Sequence, residues 1–194
     1  RAFYNTKLIG SLVLPNGLTD IGLNAFSNTN VTSVQFPDGL ENINDWAFHS
    51  CSSLSGELNF PESLKYIGEY CFAKLGLSGK LILPDNLIHI GQAAFSQAGA
   101  FTGDLIIPEK IRTIGQRAFW SVNFTGHLYL NNVTSIDESA FYNCTFRGEL
   151  VIPEGITEIS TQAFDGNHFT KVVLPSTFVP SKFPTAFPEK KSVL

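Results

Sequence analysis

Residues 79–95 read Gly-Lys-Leu-Ile-Leu-Pro-Asp-Asn-Leu-Ile-His-Ile-Gly-Gln-Ala-Ala-Phe, and this stretch contains the unit from which most of the chain is built. Its first part is a tetrad, apolar-x-apolar-Pro, here Leu81 to Pro84. Eight tetrads start 22 to 24 residues apart, the sixth with Asn in place of Pro. Their first residues are Leu12, Val34, Leu58, Leu81, Leu105, Leu128, Leu150 and Val172. A period of this length indicates a repeat architecture.

Each tetrad is followed by the skeleton Leu-x-x-Ile-Gly-x-x-Ala-Phe and then by a further apolar residue. The alternation within a tetrad predicts a short strand, which Pro ends because it cannot donate to a ladder. The spacing of Ile, Ala and Phe fits one helical or 3₁₀ turn, and a second short strand around Leu-x-x-Ile fits equally well. Asn44 and Asp137 replace the Gly after Ile. Since these residue types tolerate left-handed backbone, we expect that conformation there.

A single repeat cannot bury its own Leu, Ile and Phe, whereas stacked repeats form a continuous apolar core. The sequence therefore predicts a β-rich, right-handed leucine-rich repeat solenoid. A parallel sheet forms one face, with short helical or 3₁₀ turns or short strands on the other. The array is predicted to span residues 1–178, starting in mid-repeat because Ala2-Phe3 is already the Ala-Phe pair. Residues 179–194 are predicted to be a degenerate closing repeat or a Pro-rich linker. Most of the 17 Phe recur at fixed repeat positions, which indicates a packing role.

The complete motif resembles the BspA-like, or Treponema-type, leucine-rich repeat. It is Leu-x-Leu-Pro-x-x-Leu-x-x-Ile-Gly-x-x-Ala-Phe, with Cys three positions after Phe at Cys51 and Cys144. The resemblance implies a cell-surface or secreted protein of bacteria or parasitic protists, with adhesion to host proteins or to other cells as the known role. It supplies no shared catalytic residues.

Composition excludes several classes of partner. The 13 basic and 17 acidic residues give a formal charge of −4, so the chain lacks the basic field that a phosphate backbone requires. No apolar stretch reaches the roughly 20 residues of a membrane span, and the sequence shows no signal peptide. We expect neither nucleic acid nor a membrane span, and we interpret the sequence as a segment of a longer protein.

Alternate side chains of a strand point to opposite faces, so the middle residue of each tetrad is predicted to face outward. Six of these eight residues are apolar or aromatic: Val13, Ile82, Ile106, Tyr129, Val151 and Val173. A neighbouring outward row carries charges and includes His127, so Tyr129 with His127 is the strongest single contact candidate. An exposed apolar row indicates a docking surface for a protein or glycan. The alternative is that β-branched residues were selected for strand propensity alone.

A second candidate site is aromatic. Tyr4, Trp120 and Tyr142 follow Ala-Phe, whereas Trp46 and Tyr70 lie two residues before their Phe. Exposed rings stack on sugars, but the favoured interpretation is that these rings lie over the edges of the core.

Signals for catalysis and metal binding are weak. The recurring Gly residues follow the structural period, and the four His show no metal-ligand spacing. Asp165 and His168 are close in sequence, which alone is little support for a functional pair. We predict no enzyme activity, no metal and no cofactor.

The three Cys are predicted to be unpaired. Cys51 and Cys144 lie four repeats apart, about 19 Å at strand spacing, whereas a disulfide needs Cα atoms within ~7 Å. Cys71 replaces a small core residue and is predicted to be buried.

Four Asn-x-Ser/Thr sequons begin at Asn30, Asn123, Asn132 and Asn143. They are glycan acceptors in a secreted eukaryotic protein and turn residues in a bacterial one; the sequence leaves both open.

The preferred hypothesis is a non-enzymatic cell-surface or secreted binding module that presents its sheet to a host or extracellular protein or glycan. The alternative is a structural spacer that holds another domain of a longer surface protein.

Overall fold

The computed structural model describes residues 1–177 and residue 179. It has seventeen strands and, within that part of the chain, no helix. In chain order they are β1 Ile9–Val13, β2 Asp20–Ile21, β3 Asn30–Gln35, β4 Asn42–Ile43, β5 Ser55–Gly56, β6 Tyr66–Ile67, β7 Gly76–Gly79, β8 His89–Ile90, β9 Gly99–Phe101, β10 Leu105–Ile106, β11 Thr113–Ile114, β12 Asn123–Phe124, β13 Leu128–Tyr129, β14 Ser135–Ile136, β15 Arg147–Val151, β16 Glu158–Ile159 and β17 His168–Val173.

All strand pairs are parallel and join successive coils of a β-solenoid of about eight turns. The tetrads supply the pairs β1–β3, β10–β13 and β15–β17, and β5, β7, β9 and β12 form a sheet just before the tetrads. The Leu-x-x-Ile segments form the sheets β2-β4-β6-β8 and β11-β14-β16. The solenoid prediction is confirmed, and of the two alternatives for Leu-x-x-Ile the structure adopts the second short strand.

The tetrads place their two outer apolar residues in the core. Leu81 and Leu83 are buried, whereas Ile82 between them is 68% exposed. Extended backbone gives this alternation, but the predicted tetrad strand is absent from two repeats, since residues 58–60 and 81–83 belong to no strand.

A column of eight stacked Phe rings runs through the array. Successive centroids lie 5.3 to 5.7 Å apart, and the ring planes are within 17° of parallel. The column consists of Phe3, Phe26, Phe48, Phe72, Phe95, Phe119, Phe141 and Phe164. A shorter stack of Phe101, Phe124, Phe146 and Phe169 packs edge-on against it. These stacked rings confirm the packing role that the sequence predicts for Phe.

The prediction of left-handed backbone after Ile is wrong. Gly91 and its equivalents lie outside that region, as do Asn44 and Asp137. The lack of a side chain matters instead at Gly68, where a Cβ would collide with the Asp45 nitrogen of the preceding coil, and at Gly91, where it would lie 2.7 Å from the Glu69 nitrogen. Close stacking of backbones, rather than turn geometry, is what requires Gly there.

Left-handed backbone occurs instead on both sides of each core Phe. The residues two before Phe have φ of 51° to 60° in seven coils and include Trp46, Tyr70, Ala93 and Arg117. Residues two after Phe, such as Ser50, are also left-handed. The N–H groups of Trp46, Phe48 and Ser50 all donate to carbonyl oxygens of the next coil, at 2.7 to 3.1 Å. Bonding between coils therefore holds this conformation in residue types that do not favour it.

All three Cys are free and buried, as predicted. The thiols of Cys51 and Cys144 donate to the carbonyl oxygens of Phe26 and Phe119 in the preceding coil, at 3.0 and 2.8 Å. Burial raises the pKa of the Cys71 thiol well above its ordinary value and also raises that of Cys144. These thiols are protonated core groups at neutral pH.

The predicted closing segment 179–194 lies outside the described residues, apart from Val179. The boundary at 178/179 stays a prediction.

Candidate functional site

The outward side chains of the tetrads form one exposed row. Val13, Ile82, Ile106, Tyr129 and Val151 are 47% to 68% exposed, and Val173 is half-buried. The backbone produces this row because the tetrads recur at the same position of every coil. We call Val13, Ile82, Ile106, Tyr129 and Val151 the outward row.

Strand pairing fixes the neighbours within this row where the ladder is formed. Ile106 lies opposite Tyr129, and Val151 lies opposite Val173. Val13 lies opposite the polar Gln35. Ile82 belongs to no strand and, like Val13, is about two-thirds exposed.

A ladder of charges runs beside the outward row. From Glu57 the side chains read Glu57, Lys80, Asp104, His127, Glu149 and Lys171, which alternate in sign when His127 is protonated. Lys171 Nζ donates to Glu149 Oε2 at 3.0 Å as an ion pair, whereas Glu57 Oε1 accepts the backbone N–H of Lys80 at 3.2 Å. Exposed pairs of this kind contribute little to stability. Sequence reasoning recognised mixed charges here but missed their regular alternation.

Asp104 is the most tightly held member of the charge ladder. Its Oδ1 accepts the His127 backbone N–H at 2.7 Å and lies 3.2 Å from His127 Nδ1. The backbone N–H of His127 is the main cause of the lowered pKa of Asp104, and the His127 side chain adds to it. His127 in turn lies against Gly148, where an added Cβ would collide with its ring. The loop before each tetrad thus positions these charges at the edge of the row.

A shallow groove of about 940 Å³ opens in the middle of this face. It contains Ile82 and Ile106 together with both signs of charge, and Lys110 in its wall donates from Nζ to Asn86 Oδ1 at 2.6 Å. Its walls are formed by Lys80, Leu81, Ile82, Leu83, Asp85, Gly103, Asp104, Ile106, Pro108, Glu109, Lys110 and Asn131. The structure thereby brings two of the sequence-predicted residues, Ile82 and Ile106, into one concave site. The other five lie outside its lining: Val13, His127, Tyr129, Val151 and Val173.

The aromatic candidates lie on another side of the coils. Trp46 and Tyr70 stack with centroids 4.4 Å apart, and Trp120 stacks on Tyr142 at 6.3 Å. All four are half-buried, while Tyr4 is 47% exposed. Ring faces that pack on one another are occupied by the protein itself, which favours the interpretation that these residues cover the core edge.

A stacked pair that sequence reasoning missed is Tyr66 and His89. Their centroids lie 4.5 Å apart with planes 6° from parallel. Burial is the main cause of the lowered pKa of His89, so this imidazole is neutral at pH 7. Both residues occupy the position before Ile in neighbouring repeats, which is the signal that could have identified the pair.

A protein-family model matches the sequence of these repeats. The model for the BspA-type leucine-rich repeat region matches residues 1–119 and 79–184, with six copies. The chain belongs to the BspA-type leucine-rich repeat family. No curated protein matches the chain.

Two solved structures are similar to this BspA-type array. One is a leucine-rich cell surface protein from Faecalibacterium prausnitzii, at 24% identity and a TM-score of 0.66 over 86% of this chain. The other is a leucine-rich repeat protein from Bacteroides ovatus, at 22% identity and a TM-score of 0.48 over 87% of this chain. The chain covers 48% and 60% of their respective lengths. The likeness to the first structure supports the fold.

The BspA-type array holds no cluster of three or more His, Cys, Asp or Glu suited to a metal ion in residues 1–177 and 179. In the same part of the chain, no helix is long and apolar enough to cross a membrane.

Proposed function

We propose that this chain is a non-enzymatic binding module of a bacterial cell-surface or secreted protein, which presents the outward row to an extracellular protein or glycan. One observation carries the proposal: five apolar side chains, each about half exposed or more, share one face of the array. The first structural neighbour is described as a cell surface protein, which supports an exported location.

The physical basis is the cost of exposed apolar surface. A contiguous apolar patch bordered by charges is typical of interaction sites, and repeat proteins bind through their extended surfaces. Complete burial of a fully exposed aliphatic side chain contributes about 1.5 to 3 kcal/mol, and Ile82, which is 68% exposed, contributes less. The charge ladder beside the row adds selectivity between partners rather than affinity.

A structural spacer is the second candidate function. The continuous column of eight Phe rings favours it, because such a column couples every coil to its neighbours along the array. A spacer needs this rigidity and no exposed apolar row.

The test compares two triple variants with the same kind of substitution. In the first, Ile82→Ser, Ile106→Ser and Tyr129→Ser remove the centre of the outward row. In the control, Ile9→Ser, Leu23→Ser and Ile88→Ser alter three exposed apolar residues outside it, which are 49% to 73% exposed. Both variants and the original chain are applied to arrays of immobilised extracellular-matrix proteins and of glycans.

We expect the first variant to lose at least tenfold in affinity for a captured ligand and the control to retain its affinity. Equal affinity of both variants would exclude the outward row as the site. If the original chain binds nothing on either array, the binding proposal fails and the spacer is favoured.

A further inference from the structure

A second groove, of about 450 Å³, lies on the side of the array that carries the residues next to the core Phe column. Its lining extends from Tyr70 in the third repeat to Gln162 in the seventh. Four steps between parallel strands correspond to about 19 Å. The lining shares no residue with the outward row or with the groove beside that row, so this is a separate surface.

Backbone hydrogen bonds between coils hold the floor of this second groove. Four of its lining residues lie two positions before a core Phe, and each donates its N–H to a carbonyl oxygen of the next coil at 2.8 to 3.1 Å: Tyr70, Ala93, Arg117 and Ser139. The groove is therefore formed in the free chain, and a ligand need not order this backbone on binding.

Tyr70 has one ring face packed against another ring. Trp46 stacks on it from the second repeat, with centroids 4.4 Å apart. The equivalent residue of the fourth repeat is Ala93, whose methyl group supplies no third ring. The row of rings is interrupted there, and the side of Tyr70 that faces the fourth repeat lines the groove.

Trp120 repeats this arrangement from the opposite direction. Tyr142 stacks on it from the sixth repeat, with planes 13° from parallel, whereas the equivalent residue of the fourth repeat is the small Ser96. Trp120, Tyr142 and Ser96 all line the groove. Two aromatic clusters therefore flank the small side chains of the fourth repeat.

Polar side chains around the rings offer hydrogen-bond donors and acceptors together. The amides of Gln97 and Gln162 are exposed and can do both. Arg117 supplies donors and Glu138 supplies acceptors, with their nearest N and O atoms 3.9 Å apart. Sugar hydroxyls also donate and accept, so they match both kinds of group.

We propose that this second groove, which we call the aromatic groove, binds an oligosaccharide. Sugar rings pack on Tyr70 and Trp120, and the surrounding polar side chains orient the hydroxyls. The inference goes beyond the proposed function, because it adds a site that is independent of the outward row. A proline-rich peptide also docks in aromatic-lined grooves, but Pro offers carbonyl acceptors and no N–H donor, so it matches only part of this lining.

The first pair of variants adds a ring. Ala93→Tyr fills the interruption between the two clusters. Trp46 and Tyr70 occupy the equivalent position with φ of 60° and 51°, close to the 51° of Ala93, so the backbone accepts an aromatic residue there. The control, Asn24→Tyr, makes the same addition at the other end of this row, outside the groove and at φ of 53°.

The second pair of variants removes a ring. Trp120→Ala removes one wall of the aromatic groove, and Tyr66→Ala removes a half-buried, stacked ring outside it. In a Trp46→Phe chain, Trp120 is the single remaining Trp, so its fluorescence reports on the groove directly. The probes are an oligosaccharide array and, in solution by titration calorimetry, the oligosaccharide that the array binds most strongly. Decaproline is the rival probe.

We expect Ala93→Tyr and Trp120→Ala to weaken binding of the oligosaccharide at least tenfold, with less than twofold change in the two controls. The triple variant of the outward row should retain this binding. Trp120 emission should shift to shorter wavelength when the sugar displaces water from the ring. If Trp120→Ala does not fold, the Tyr pair and the fluorescence measurement decide.

Four results would overturn this inference. Oligosaccharide binding that is insensitive to both groove variants would place the sugar elsewhere, and its loss in the outward-row variant alone would assign it to that row. Binding of decaproline in the groove, without any oligosaccharide, would replace the ligand class. A chain that binds matrix proteins through the outward row but no oligosaccharide would remove this inference and leave the proposed function intact.

Discussion

Phe95 and Phe119 stack with their ring centroids 5.4 Å apart and their planes 2° from parallel. Both side chains are fully buried. Parallel rings at this distance are displaced sideways, because the electrostatics of two aromatic faces disfavour a direct sandwich. The same relationship recurs along the Phe column, so each coil is aligned with the next through one ring.

Phe95→Ala is expected to destabilise the array by about 3 to 5 kcal/mol, because it leaves a cavity between two stacked rings. Urea unfolding followed by circular dichroism measures this loss. Phe3→Ala is the control, since Phe3 is 45% exposed and stacks on Phe26 alone. Its cost should be well below that of Phe95→Ala, and equal costs would contradict a stability based on the column.

Gly91→Ala and Gly22→Ala test the close approach of backbones. Neither Gly has a left-handed backbone, yet a Cβ on Gly91 would lie 2.7 Å from the Glu69 nitrogen, whereas one on Gly22 meets nothing within 4 Å. We expect Gly91→Ala to cost about 1 to 3 kcal/mol. Gly22→Ala should be neutral or should stabilise by up to about 1 kcal/mol, because Ala restricts the unfolded chain. Urea midpoints compare the two, and a similar loss in both would remove the stacking explanation.

Asp104 should make the stability of the array depend on acid pH. A carboxylate with a lowered pKa stabilises the folded state above its ordinary value of 3.8, and this contribution is lost as the pH falls through the lower folded value. Since the Asp104 side chain is 42% exposed, the effect is below about 1 kcal/mol.

The measurement is the difference in unfolding free energy between the original chain and Asp104→Asn, at pH 6 and again at pH 2.5. We expect the original chain to be the more stable at pH 6 and the difference to shrink at pH 2.5. A difference that grows on acidification would have the wrong sign. Direct NMR titration of the Asp104 carboxyl gives an independent check of the pKa direction.

The three Cys should not react with a thiol reagent in the folded chain. Burial raises the pKa of each thiol, so the reactive thiolate is scarce at pH 8 and the reagent has no access. A colorimetric disulfide reagent should label none of them in buffer and three in guanidinium chloride. Ser52→Cys adds an exposed thiol beside Cys51 and should give one labelled group in buffer. Rapid labelling of the unmodified folded chain would contradict the burial of the thiols.

Much of the fold follows from residue patterns. The alternation of Leu81, Ile82 and Leu83 predicts which side chains enter the core, and the 22 to 24 residue period predicts the stacking of coils. The outward placement of Ile82, Ile106 and Tyr129 follows from the same alternation. Their role in binding stays a prediction.

Other features depend on contacts between coils and leave no signal in the local sequence. Trp46, Tyr70 and Arg117 have no intrinsic preference for left-handed backbone. Hydrogen bonds to the next coil impose this conformation on them. The absence of pairing between β8 and β11 in the described chain is equally hidden, because Ile90 and Ile114 occupy the same position of the same motif.

The left-handed residues that flank each core Phe have a consequence for protein engineering. Each non-Gly residue held in this conformation costs about 1 to 2 kcal/mol relative to ordinary backbone, and Asn reduces that cost at Asn24, Asn28 and Asn143. Backbone strain therefore remains at the other left-handed positions, such as exposed Arg117, and its removal would increase thermal stability. Replacing the exposed ones, such as Lys74 and Arg117, with Gly or Asn is expected to raise the unfolding temperature while leaving the apolar interior and the outward row unchanged.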